Sequence, residues 1–278
     1  MNAVRNAPKD PHSKEADMTR TYAVTGAASG IGKITADQLR ANGEVVIGID
    51  LKDSDVTVDL TTDEGRRELV TQVDELAGGS LDGVIACAGL SAPIVATAAV
   101  NYFGAVATLE GLRPLLARSS APRAAVVSSL AALEPLDDQL YNALLDNDEG
   151  RALARAGEIA EGAATGASNT IYNSSKNAIA LWVRQQAITP EWGGQGIALN
   201  AIAPGVIETP MTAELLANEE GRRLLAEGSP APYNGPAGPP TAPAGLLRYL
   251  TSEENSFVTG QVIFIDGGAE ATRRTSTL

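Results

Sequence analysis

Thr25-Gly-Ala-Ala-Ser-Gly-Ile-Gly32 is the stretch on which the fold of this chain turns. It follows a short apolar run, Tyr22–Thr25, and opens a helix-like pattern, Ile31–Ala41. Gly26, Gly30 and Gly32 allow a sharp turn and a close approach of backbone to an anionic group. Ser29 and Ile31 place first-turn N–H groups at the same point, where the helix dipole is positive. Three glycines in an ordinary strand–turn–helix corner would look similar. The next apolar run, Glu44-Val-Val-Ile-Gly-Ile-Asp50, strengthens the reading because it ends in a carboxylate. An acid at that place accepts hydrogen bonds from an adenosine ribose, and its charge repels a 2′-phosphate. The pair of features predicts a dinucleotide site that favours NAD over NADP, with Lys52 as a nearby competing charge.

Outward from this loop, apolar runs alternate with helical patterns. Strands are expected at Tyr22–Thr25, Val45–Ile49, Val56–Val58, Gly83–Ala86, Ala124–Ser128, Ile197–Ile202 and Val262–Ile265. Several are continuous Val/Ile/Ala runs, as strands covered on both faces require. Helices are expected at Ile31–Ala41, Thr62–Leu76, Ala96–Leu116, Tyr172–Glu191 and Pro243–Leu250. Strand, helix, strand in this rhythm predicts an α/β fold. The expected form is a Rossmann-type, doubly wound, parallel seven-stranded sheet in a single domain over residues 21–268. Two segments break the rhythm: an insertion at 134–169, helical near Glu149–Glu161, and a stretch at 211–243. The latter starts as a helix and becomes Gly/Pro-rich, which predicts a mobile substrate flap.

Composition excludes several classes. With 34 acidic against 21 basic residues the formal charge is −13, and no basic cluster is present to neutralise phosphates, so nucleic acid is not an expected partner. Cys87 lies in an apolar run and cannot form an internal disulfide; it reads as a reduced, inert thiol. His12 is the lone histidine and sits in a polar segment, so neither a His-based triad nor a metal site is expected. Residues 1–20 lack an apolar h-region and read as a disordered tail, and 269–278 as a C-terminal tail. The window Leu90–Leu109 reaches membrane length but carries Pro93, Asn101 and Gly104, favouring a buried helix. A cytoplasmic protein without membrane contact is the expectation.

Tyr172-Asn-Ser-Ser-Lys176 puts a phenol and an ammonium on one helical face, one turn apart. An isolated pair of this kind is usually a surface pair. Beside a cofactor, the ammonium would stabilise phenolate and lower the tyrosine pKa. A strand ending in two serines, Ala124-Ala-Val-Val-Ser-Ser129, precedes that helix.

With these motifs in this order the chain resembles the short-chain dehydrogenase/reductase family from Thr21 to Gly268. The resemblance implies catalytic roles for Asn101, in Val100-Asn-Tyr-Phe-Gly104, and for Ser129, Tyr172 and Lys176. Ser129 would donate to a developing oxyanion and Tyr172 would transfer the proton. Lys176 would hold the nicotinamide ribose, and Asn101 would position a water reaching Lys176. It also implies cofactor contacts from Gly26, Ser29, Gly30, Ile31, Gly32, Asp50, Asp59, Leu60, Ala88, Gly89, Tyr172 and Lys176. The Pro-Gly turn adds Pro204, Gly205, Ile207 and Thr209. One departure stands out: the family's Asn-Asn-Ala-Gly is Ala86-Cys-Ala-Gly89 here, without the amides that tie neighbouring strands. This form, the insertion and the Arg-containing tail look similar to the bacterial 3α-hydroxysteroid dehydrogenase/carbonyl reductase branch.

The resemblance implies an NAD-dependent enzyme interconverting a secondary alcohol and a ketone. Dihydrodiols or small alcohols are rival substrates, and a non-catalytic NAD-binding sensor is the rival outside enzymes. Pro93, Ile94, Leu133, Met211, Leu215 and Leu216 are expected to line the substrate site. They carry no Arg or Lys, which predicts a bulky alicyclic or steroid-like small molecule and no counter-charge for a carboxylate. The insertion could cover the outer face of the Tyr172 helix, so a homo-oligomer is expected, a dimer before a tetramer.

Overall fold

The computed structural model describes residues 19–163 and 169–276. Its strands are β1 (Thr21–Thr25), β2 (Val45–Asp50), β3 (Val56–Thr57), β4 (Gly83–Ala86), β5 (Arg123–Val127), β6 (Ala198–Pro204) and β7 (Val262–Ile265). They form one seven-stranded sheet in the order β3-β2-β1-β4-β5-β6-β7, with every pairing parallel. The expected fold class is therefore the observed one. Successive residues point to opposite faces of a strand, and the two faces feed two apolar layers. Ala23, Ile49, Val84, Val126 and Leu199 enter one layer. Tyr22, Val24, Val46, Ile85, Ala125 and Ile202 enter the other.

The helices are α1 (Gly30–Ala41), α2 (Asp63–Ala77), α3 (Val95–Ala98), α4 (Ala105–Leu116), α5 (Asp138–Leu145) and α6 (Glu149–Ala163). They continue as α7 (Thr170–Gln186), α8 (Ala213–Leu216), α9 (Glu219–Gly228), α10 (Thr241–Thr251) and α11 (Ala269–Arg273). The expected single helix over Ala96–Leu116 is interrupted: a π-helical turn, Ala99–Gly104, separates α3 from α4. Such turns widen the helix locally and recur at functional sites, and this one carries Asn101.

The insertion is part of the core. Leu140, Leu144, Ala152 and Ala156 are fully buried in the larger apolar layer with Ile171 and Ile179 of α7. Arg66 of α2 clamps α6 by donating to both Glu149 carboxylate oxygens at 2.7 Å. Both termini of the described chain depart from the expected tails. Arg20 is buried and donates to the carbonyls of Asp82, Ala121 and Thr251, stitching the entrance of β1 to three other segments. At the other end, Asp266 caps α11 by accepting from the Gly268 and Glu270 N–H groups at 2.9 and 2.6 Å. The rest of the expected N-terminal tail, and 164–168 of the insertion, lie outside the described residues.

The Gly/Pro-rich stretch expected to be a substrate flap is joined to neighbouring segments by backbone hydrogen bonds. Gly238 N–H donates to the Val206 carbonyl at 2.9 Å and the Gly238 carbonyl accepts from Glu208 N–H at 3.0 Å, while Tyr233 N–H donates to the Gly267 carbonyl at 2.9 Å. A segment this rich in turn-formers still had backbone groups to satisfy, and the ends of β6 and β7 satisfy them.

Where the family's strand-tying amides are absent, Thr25 takes over. Its Oγ1 accepts from the Cys87 and Ala88 N–H groups at 3.0 and 3.1 Å, joining the ends of β1 and β4. Thr25→Val keeps the shape but leaves two partly buried donors without a partner. It should lower unfolding stability by about 1–3 kcal/mol, read as a reduced urea midpoint at unchanged m-value.

Candidate active site

All seven strands end on one edge of the sheet, and the strand order reverses between β1 and β4. A crevice at that edge is where ligands bind in such sheets. Here it is a cavity of about 810 Å³. One end is lined by Gly26, Ser29, Gly30, Ile31 and Gly32, with Asp50, Asp59 and Leu60 beside them. The middle is lined by Ala88, Gly89, Pro204, Gly205, Ile207 and Thr209, and the far end by Ser129, Tyr172 and Lys176. The structure thus brings together every residue expected to touch the cofactor.

The glycine cradle has no room for side chains. Gly26 has φ +71°, and a Cβ there would lie 2.9 Å from the Ala88 nitrogen; one on Gly32 would lie 2.3 Å from the Gly26 carbonyl oxygen. The backbone of the loop therefore faces the cavity directly at the start of α1. Asp50 accepts from Ala28 N–H at 3.0 Å and Leu51 N–H at 2.7 Å, which fixes its carboxylate on the cavity wall. Lys52, the competing charge, is exposed and lies off that wall. Cradle, dipole and acid fit a nicotinamide dinucleotide.

Two reciprocal hydrogen bonds hold α7 against the end of β5. Ser128 Oγ donates to the Lys176 carbonyl at 2.7 Å, and Lys176 Nζ donates to the Val127 carbonyl at 2.8 Å. Tyr172 stands one turn earlier on α7 and lines the cavity with Ser129, its ring centroid 5.7 Å from Lys176 Nζ. Burial lowers the Lys176 pKa to about 8. Burial also holds the Tyr172 phenol above its ordinary value, against the opposing effect of the Ser129 hydrogen bond. Among these influences on the phenol, desolvation is the larger. Cys87 lines the same cavity, where burial pushes its thiol up to about 12, so it stays protonated.

Asn101 differs from expectation in its engagement. It is buried off the cavity wall and clasps the Leu90 peptide, accepting from its N–H and donating to its carbonyl at 2.9 Å each. It also donates to Ser175 Oγ at 3.1 Å. Its Oδ1 nevertheless faces Lys176 across Gly89: a Cβ on that glycine would sit 2.9 Å from Asn101 Oδ1 and 3.4 Å from Lys176 Nζ. A side chain at this position would crowd both groups.

Of the residues expected to contact substrate, Met211 and Leu215 line the cavity, whereas Pro93, Ile94, Leu133 and Leu216 do not. The loop carrying Pro93 and Ile94 bends out to solvent before α3, so Leu90, Ser91, Ala96 and Val100 form that wall. A tight 3₁₀ turn places Leu130, Ala131 and then Glu134 on the wall in place of Leu133. Leu216 is one residue, about 100° of helix, round from Leu215. The sequence reading missed Glu134 and Arg273, both of which line the cavity. No local motif marks either; only the path of the C-terminal segment brings Arg273 to the site.

Comparison with known proteins agrees with this geometry. A family model described as enoyl-(acyl carrier protein) reductase matches residues 26–270. The chain is 35% identical over 254 residues to the 3-alpha-hydroxysteroid dehydrogenase/carbonyl reductase of Comamonas testosteroni, covering 90% of this chain and 96% of that one. It is 29% identical to the cis-4-hydroxycyclohexanecarboxylate dehydrogenase of Sinomonas cyclohexanicum, covering 92% of this chain and 99% of that one. Among solved structures, the 3-alpha-hydroxysteroid dehydrogenase of Pseudomonas sp. B-0831, complexed with NADH, superposes with a TM-score of 0.82. It is 37% identical, over 93% of this chain and 100% of that one. No described helix is long and apolar enough to cross a membrane.

The buried lysine has a measurable signature. Its folded pKa of about 8 lies below the ordinary 10.5, so between these values the unfolded chain binds a proton that the folded chain has released. The Lys176 contribution to stability should therefore rise with pH across that window, by up to about 3 kcal/mol, opposed above pH 9.0 by the Cys87 thiol, which keeps its proton only in the folded chain. Chemical unfolding from about pH 7 to pH 10 should show the rise in the wild type and its loss in Lys176→Met.

Proposed function

The chain belongs to the short-chain dehydrogenase/reductase family of oxidoreductases, and from that premise we propose that it interconverts a secondary alcohol and a ketone with NAD(H), on a bulky alicyclic or steroid-like substrate. The observation that carries this reading is the placement of Ser129, Tyr172 and the buried Lys176 in the same cavity as the glycine cradle.

The nicotinamide supplies hydride to the carbonyl carbon in reduction and accepts it in oxidation. The protein's own groups do the rest. Ser129 Oγ and the Tyr172 hydroxyl both address the substrate oxygen. In reduction they donate to it as negative charge develops, and Tyr172 passes its proton to it. A phenol held above its ordinary pKa by burial remains protonated at neutral pH, ready for that donation. The resulting phenolate is stabilised by Lys176, whose donor capacity exceeds the one bond it gives to Val127. A proton returns to Lys176 beside Gly89, with Asn101 Oδ1 facing it. The apolar walls from Leu90, Val100, Leu130, Met211 and Leu215 suit a ring system and keep water from the reacting carbon. The two relatives named above, one for steroids and one for a cyclohexane ring, support that substrate class.

Tyr172→Phe removes only the hydroxyl. Turnover of a 3-oxosteroid or bicyclic ketone should be almost abolished, with NADH binding by fluorescence retained. Residual activity above about a tenth of wild type, a barrier change under ~1.4 kcal/mol, would remove Tyr172 from the acid/base role. Separately, kcat/KM should favour NAD over NADP. Asp50→Ala should narrow that preference by weakening NAD more than NADP, and a wild-type preference for NADP would overturn the cofactor assignment.

A further inference from the structure

The substrate half of the cavity carries two charged groups outside the proton relay, Glu134 and Arg273. Among the described residues that line it, Lys176 and Arg273 are the cations, and Lys176 belongs to the proton relay. Arg273 arrives from the last turn of α11, a segment whose path is fixed by the Asp266 cap and by the bond from Tyr233 to Gly267. Its neighbour Arg274 turns away, pairing with Glu270 and lying over the Phe264 ring. The Arg273 side chain is only 25% exposed. It donates to the Glu134 carboxylate and to the Gly228 carbonyl at the end of α9. Those two bonds leave most of its five N–H donors without a protein partner among the described residues.

We propose that Arg273 is a specificity-determining residue that binds a carboxylate carried by the substrate at the end remote from its reacting carbonyl, with Glu134 as the internal carboxylate that the substrate displaces. The inference rests on the reading of the site as one for alicyclic ketones and alcohols, and narrows it to acidic ones. A guanidinium fork fits a carboxylate in two parallel hydrogen bonds, and this fork is held at the wall of an apolar chamber. Glu134 has the same chemistry as the ligand it would yield to. Its side chain is 40% exposed, so it can release the arginine and remain hydrated. Exchange of one carboxylate for another conserves the ion pair, and burial of the substrate's ring supplies the net drive. The geometry reverses the sequence expectation that an acidic substrate meets no counter-charge.

The test compares a cyclic ketone bearing a carboxylate with the methyl ester of the same compound. A 3-oxosteroid with a side-chain acid provides one pair and 4-oxocyclohexanecarboxylate a shorter one. In the wild type, kcat/KM should favour the acid over the ester in at least one pair, by about tenfold and through KM. Arg273→Leu should bring that ratio close to one. Glu134→Gln, which removes the competing carboxylate, should raise the ratio several-fold. That opposite movement separates a binding site from a structural latch, because loss of a latch weakens acid and ester alike in both variants. An acid-to-ester ratio unaffected by Arg273→Leu, or lowered by Glu134→Gln, overturns the inference. Calorimetric titration of the NADH-loaded protein with acid and ester gives the same ratio without turnover. Failure of catalysis therefore counts against the oxidoreductase reading, and failure of charge discrimination counts against Arg273.

Discussion

The pair of hydrogen bonds between β5 and α7 is the constraint on which the site depends. Ser128 reaches the Lys176 backbone and Lys176 reaches the Val127 backbone, so strand and helix hold each other by side chains that sit beside the reacting groups. Ser129 follows Ser128 and Tyr172 lies one turn before Lys176, so neither can move far unless this clamp opens. Preorganisation is thereby built into backbone contacts rather than into the exposed ends of side chains. The insertion reinforces the clamp from behind. Asp137 N–H donates to Ser174 Oγ, and Leu140 and Leu144 pack in the same apolar layer as α7.

Burial at this point has opposite effects on two ionisable groups that work as a unit. It disfavours the charged form of each, drawing Lys176 down and Tyr172 up. Their separation is set by the helix, one turn along one face, so the electrostatic coupling is available only when both are charged. A phenolate forms at a cost unless an ammonium is near, and a buried ammonium persists at a cost unless an anion or carbonyl is near. Each group thus relieves the other's desolvation at the moment the proton moves.

How much of this was legible in the sequence follows from how local each determinant is. Strand identity could be read because runs such as Val46–Ile49 and Gly83–Ala86 are buried on both faces and carry that burial in their composition. The glycine cradle, Asp50 and the Tyr–Lys pair are short-range patterns, and the cavity contains all of them. Strand ends differed by a residue or two because pairing with neighbours, not propensity, decides them; β6 runs on to Pro204 alongside β7. The π turn at Asn101 left no mark, since its residues keep the apolar character of the flanking helices. The substrate wall was hardest. Which face of a one-turn helix meets the cavity, as between Leu215 and Leu216, depends on packing that no periodicity over four residues can express.

Parallel topology explains why the cofactor half could be read and the substrate half could not. In an all-parallel sheet every strand delivers its following segment to the same edge, so chain regions far apart in sequence converge there. The cofactor half is built largely from residues at or just after the ends of β1, β2, β3, β4 and β6, positions tied to strand ends and therefore to motifs. The substrate half is built from what comes later in each segment: Glu134 after a turn, Leu215 on α8, Arg273 at the end of α11. These positions share no register with the sheet and are joined to one another only across the cavity, as Arg273 joins Glu134 and Gly228. Their side chains can change without disturbing the cradle or the clamp. That independence lets a fixed hydride and proton chemistry be offered to different substrates, and it makes the charge carried by Arg273 a property of this chain rather than of its fold.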